Sequence, residues 1–141
     1  MRGVTFNGKH SYWDWGLLLQ GFPVVSPPEP KTKVVEVPGS DTAIDLSEVL
    51  TGKVHYNRRE IMCRFTLSSD RDKWTEVYTQ ILNHLHGKRI EIILDDDNEY
   101  FYTGRAQISS WEPGQYTADV VITATVEPYK TARFIKGKKV L

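Results

Sequence analysis

Apolar and polar positions change rhythm several times along this chain, and each rhythm names an element. From Arg59 to Leu67 they alternate with period two, with Ile61, Cys63, Phe65 and Leu67 on one side and Met62, Arg64 and Thr66 on the other. That is the mark of a half-buried strand. The same alternation predicts strands over Arg89 to Leu94, with Ile90, Ile92 and Leu94 inward, over Tyr100 to Ser109, and over Tyr116 to Val126, with the even positions inward. Trp111-Glu112-Pro113-Gly114 is expected to turn between the last two, and Pro128 to close the last long strand. Between them the period lengthens. Trp74, Val77, Tyr78, Ile81, Leu82 and Leu85 fall at helical spacing and predict one helix over about 70–86. Ser69 or Asp70 is placed to cap its start, and Gly87 its end.

The N-terminal third reads differently. Gly3 to Phe6 is a short strand, Asn7-Gly8 is the strongest two-residue hairpin turn, and a return strand begins near Lys9. After Tyr12, Trp13 and Trp15, the run Gly16 to Gln20 is long enough for a buried strand and too short for a helix. Residues 22–42 then hold five of the seven prolines. Between these prolines lie a β-branched run, Lys31 to Val37, a turn at Pro38-Gly39-Ser40, and a second run to Leu46. This predicts a β-hairpin arm over 24–46, followed by a helical turn or loop over 47–52. The resulting fold class is α+β: a mainly antiparallel β-sandwich with one packed α-helix and a protruding β-hairpin arm, in a single domain over 1–141.

Composition narrows the function. With 40% hydrophobic and 26% charged residues the chain supports an ordinary packed core. Eighteen basic residues balance eighteen acidic ones, which weighs against a nucleic-acid partner. Locally the balance fails: Asp95 to Glu99 is acidic and the last twelve residues are basic, and the two are expected to meet across subunits. No apolar run reaches the ~18 residues of a membrane span, so no membrane partner is expected. The lone Cys63 forms no internal disulfide and fits a reducing cytoplasm.

The chemistry-bearing motifs are few. The acidic run lacks the spacing of a calcium loop and reads as a solvated turn. His84 and His86 are two apart, a poor metal pair, and are expected to meet the exposed carbonyls at the helix end. His10 and His55 have no sequence-local partner. No nucleophile elbow, phosphate loop, zinc-protease or Cys-x-x-Cys motif occurs, and the expectation is a non-enzyme with no cofactor and no metal.

Several weak motifs, taken in order, carry a resemblance. Val4-Thr5-Phe6-Asn7-Gly8 with Tyr12, Trp15 and Gly16, then Val35-Glu36-Val37-Pro38-Gly39-Ser40-Asp41, Arg59-Glu60-Ile61 and the helix end Asn83-His84-Leu85-His86-Gly87-Lys88 resemble distal tail proteins of siphophages and prophages. Tyr102-Thr103-Gly104-Arg105 and Val126-Glu127-Pro128-Tyr129-Lys130 continue the series. The resemblance implies a β-sandwich whose hairpin arm, the belt, embraces the next subunit to build a hexameric ring. Such a ring joins the last tail-tube ring to the tip or baseplate hub and leaves a channel through which DNA passes as cargo. It further implies a virion component assembled in the bacterial host cytoplasm, with partners in the tail tube and tip proteins. The resemblance implies a chain that corresponds to the family's first domain, with the second, galectin-like domain not expected. On this reading Val34, Val35, Val37 and Ile44 carry the subunit contact. The competing readings are a tail-tube protein, a carbohydrate-binding β-sandwich using Tyr100 and Tyr102, and an OB-type nucleic-acid binder.

Overall fold

The computed structural model describes residues 2–32, 34–36, 38–39, 43–45 and 52–141. Three long strands form its middle: β7 (Arg59–Leu67), β9 (Tyr100–Pro113) and β10 (Ala118–Val126), with β10 antiparallel to both neighbours. Their inward positions are those the alternation predicts: Ile61, Cys63, Phe65 and Leu67 face the core from β7, and Val120, Ile122, Ala124 and Val126 from β10. Outside β9 lie β8 (Arg89–Leu94), β1 (Val4–Phe6) and β2 (Lys9–His10); outside β7 lie β3 (Leu17–Leu19) and β4 (Val24–Val25). The pairings between strands are antiparallel, and an isolated parallel bridge joins His86 to Ala106. Asn7 and Gly8 take positive φ, 48° and 88°, so the β1–β2 turn has the backbone that Asn-Gly favours.

The helix α1 (Trp74–Leu85) follows a single 3-10 turn, Arg71–Lys73. It buries Trp74, Ile81 and Leu85 against the sheet. Neither Ser69 nor Asp70 caps it with a side chain, contrary to expectation. Instead the Trp74 indole N–H donates to the Ser69 carbonyl at 2.9 Å, tying the helix start to the preceding loop. Gly87 has φ 73°, the left-handed geometry expected just past a helix end.

The predicted turn at Trp111 is a further correction. Strand β9 runs on to Pro113, and the chain reverses only where the Gly114 N–H donates to the Thr117 carbonyl. A bulge explains the misreading. Val121 pairs with Ser110 but Ile122 with Ile108, so Ser109 is an extra residue and the inward face switches from even to odd positions. Trp111 therefore turns toward the helix and stacks on Tyr78, with centroids 4.5 Å apart. Tyr116, expected inward, lies in the turn and is 80% exposed.

A second aromatic contact closes the other end of the core. Phe6 stacks on Trp15 and meets the edge of Phe65, each at 6.3 Å. Burying such a ring contributes roughly 1.5–3 kcal/mol. After Pro128 the chain forms two more strands, β11 (Lys130–Ala132) and β12 (Lys139–Val140), a small hairpin that pairs with the start of β9.

Candidate assembly surface

The arm forms its own two-stranded sheet, β5 (Val34–Glu36) with β6 (Ala43–Asp45). β-branched residues favour the extended backbone, and Gly39, at φ 79°, supplies the left-handed residue a tight turn needs. The register sets Val35 opposite Ile44 and Val34 opposite Asp45. Val34 is 57% exposed. Val37, also expected at the contact, lies outside the described residues, as does most of the predicted turn at 47–52.

Backbone pairing defines the root of the arm. Pro30 bridges to Tyr56, the Lys31 N–H donates to the His55 carbonyl at 2.6 Å, and the Asn57 N–H to the Glu29 carbonyl at 2.7 Å. Tyr56 in turn packs edge-on against Tyr129. Val24–Val25, at the start of the expected arm, pairs with Met62 and Ile61 and so belongs to the main sheet. The prolines at 27, 28 and 30 lie between that pairing and the hairpin, where a missing N–H disrupts no ladder.

The acidic turn is occupied within the chain, which corrects the expectation that it meets the basic C-terminus across subunits. Asp97 pairs with Lys130 at 2.5 Å, Arg133 donates to the Asn98 carbonyl at 2.7 Å, and Asp96 lies 3.6 Å from Arg2. Asp95 accepts from the Gly3 N–H and bonds His10 Nε2, both at 2.8 Å. The other ring nitrogen of His10 accepts from the Tyr12 and Trp13 backbone. His10 therefore pins the N-terminal turn to the acidic turn, a pairing 85 residues apart that local sequence could not signal.

The helix-end histidines also act differently from expectation. His84 Nε2 donates to the Phe6 carbonyl of β1 at 2.7 Å, and His86 Nδ1 accepts from the Ile108 N–H at 3.1 Å. Both tie the helix to the sheet, while Lys88 meets the helix-end carbonyl of Asn83. Cys63 is buried, and desolvation pushes its thiol up to about 12, the setting of an inert core residue. Among the described residues no group of three or more His, Cys, Asp or Glu is placed to hold a metal ion. No helix among them is long and apolar enough to cross a membrane.

Tyr102 is only 4% exposed, so Tyr100 and Tyr102 do not form an open stacking row. The exposed large apolar side chains elsewhere include Trp13 and Phe22 near the N-terminus, Val24 on its edge strand, Val34 on the arm, and Phe134 and Ile135 at the tip of the β11–β12 hairpin. This last hairpin escaped sequence reading. Its signal was Gly137, a turn residue between two short apolar pairs.

No family model matches the chain, and no curated protein does. A solved structure matches well: the Dit (gp 19.1) protein of SPP1, described as a paradigm of the hub adsorption apparatus in phages that infect Gram-positive bacteria. The TM-score is 0.73 at 16% identity, over 94% of this chain and 52% of that one, so the chain spans about half the length of its structural relative. The likeness bears out the resemblance read from the sequence motifs at the level of architecture, and the chain has the fold of a Dit-like distal tail protein.

Proposed function

We propose that the chain is a non-catalytic structural component of a phage tail, a single ring-forming unit whose hairpin arm embraces the next copy around a hexameric ring between tail tube and tip. The observation that carries the reading is the hairpin itself. It is a separate two-stranded sheet rooted by backbone bonds, within a fold shared with a hub protein of a phage adsorption apparatus. A projecting hairpin offers unpaired backbone donors and acceptors that a neighbouring sheet can satisfy. Head-to-tail contacts of this kind close into a ring when the rotation permits. Val34, Val35, Val37 and Ile44 are the proposed contact residues. DNA passes through such a ring only as cargo.

The test is solution mass by light scattering across a concentration series, for the whole chain and for one lacking residues 32–54. Lys31 and His55 are already hydrogen-bonded, so a two-residue Gly linker closes the gap without disturbing the sheet. A hexamer-sized species that falls to monomer on deletion supports the reading. An equal number of subunits for both chains refutes it, and open-ended polymers favour a tail-tube role.

A further inference from the structure

We propose that the C-terminal β11–β12 hairpin is a strap, latched over the start of β9 by the acidic turn, that opens as a unit from Lys130 onward while the core stays folded. Its burial carries the inference. Every residue from 130 to 141 is described and none of them is buried, so the hairpin gives no side chain to the core. Phe134 and Ile135 at its tip are 76% and 57% exposed. A groove of about 140 Å³ separates the tip from β9, lined by Glu99 and Tyr100 on one side and by Ala132, Phe134, Ile135 and Lys138 on the other. Segments with few buried apolar contacts are the ones that open well below the free energy of global unfolding.

What holds the strap is polar. Strand β11 pairs with β9 through Thr131 and Ala132, and the Arg133 N–H donates to the Glu99 carbonyl at 2.9 Å. The Lys130 ammonium meets Asp97 at 2.5 Å, with both side chains partly open to water, and lies over the Tyr100 ring at 4.8 Å. Lys138 lies over the same ring at 5.9 Å, and Arg133 completes the latch with its bond to the Asn98 carbonyl. The hinge is equally well marked. The Glu127 N–H donates to the Thr103 carbonyl, Arg59 donates to the Pro128 carbonyl, and Tyr129 packs on Tyr56, so the chain is anchored up to the residue before Lys130. Closed, the strap covers one edge of β9 at Tyr100 and Phe101. Open, it leaves that edge bare, with backbone donors and acceptors to which another strand can add. The inference holds whether or not the chain closes into a ring.

Hydrogen–deuterium exchange of the full chain at one fixed concentration, read by mass spectrometry on peptides covering 130–141 and 118–126, tests this. In the wild type the hydrogen-bonded amides of the strap should exchange at least about a hundredfold faster than those of β10, yet more slowly than in an unfolded peptide. Asp97→Asn should speed the strap about fivefold, the upper end for an ion pair open to water, and leave β10 unchanged. Lys130→Met removes the same pair from the other side together with the cation over Tyr100, and should speed the strap at least as much. Unchanged exchange in β10 also shows that both variants are folded. Strap amides that exchange as slowly as β10 overturn the proposal, because hairpin and core then open together. Strap amides as fast as an unfolded peptide, or variants that leave strap exchange unchanged, overturn it as well.

Discussion

Gly104→Ala is the substitution the sheet should tolerate least for its size. Gly104 sits in β9 between Ile90 of β8 and Val126 of β10. Its φ is not in the left-handed region, so the constraint is space and not conformation. A methyl group there would lie 2.5 Å from Val126 Cα and 2.8 Å from the Thr125 carbonyl carbon, and closer still to the Thr125 oxygen. Carbon atoms in contact rest at roughly 3.5–4.0 Å, so the β9–β10 ladder must open by about 1 Å. These neighbours are backbone and cannot rotate away. Overpacking typically costs about 1–3 kcal/mol, and each weakened ladder bond adds about 1 kcal/mol, giving a loss of roughly 3–5 kcal/mol. For a domain of this size that lowers Tm by about 10–15 °C, read by calorimetry at one fixed protein concentration. Gly137→Ala is the control: its Cβ would meet nothing within 4 Å, but φ is 81°, so the cost should be about 1–2 kcal/mol. A Gly104→Ala protein melting within about 2 °C of wild type, or one more stable than Gly137→Ala, refutes the packing argument.

His84→Leu should remove the bond between helix and β1 while keeping its bulk beside Trp15, costing about 1 kcal/mol and a few degrees in Tm by thermal circular dichroism. Cys63 should react with iodoacetamide at pH 8 on the order of a thousandfold more slowly in the folded than in the unfolded chain, a ratio set by three pKa units and measured by mass spectrometry. Because folding raises this pKa from 9.0 to about 12, its contribution to stability is complete below about pH 9 and is lost as pH rises toward 12. Denaturant midpoints that do not fall across that alkaline range would contradict the buried-thiol assignment.

What the sequence made legible follows from the range of the forces involved. Period-two alternation is local, so β7, β8 and β10 and their inward residues are readable without a structure. The helix stripe from Trp74 to Leu85 is equally local. The bulge at Ser109 was not readable, because it depends on the register against β10 and reverses the alternation that would have continued the strand to Trp111. Strands of two or three residues such as Val24–Val25 and Lys139–Val140 have no periodicity of their own and exist because a partner is present. The pairings of His10 with Asp95 and of Lys130 with Asp97 are fixed by topology, so the acidic turn looked free in the sequence and is engaged in the fold. The arm was legible for the opposite reason: proline spacing, β-branched residues and a Pro-Gly turn are local signals of a hairpin, and Val34–Glu36 pairs with Ala43–Asp45 accordingly.

Electron micrographs of the purified chain test the central claim most directly. The account predicts closed rings of a single size with a central opening, six copies around, disappearing when residues 32–54 are replaced by a Gly linker. Isolated particles of one subunit's size at every concentration, or rings that survive loss of the arm, would contradict it.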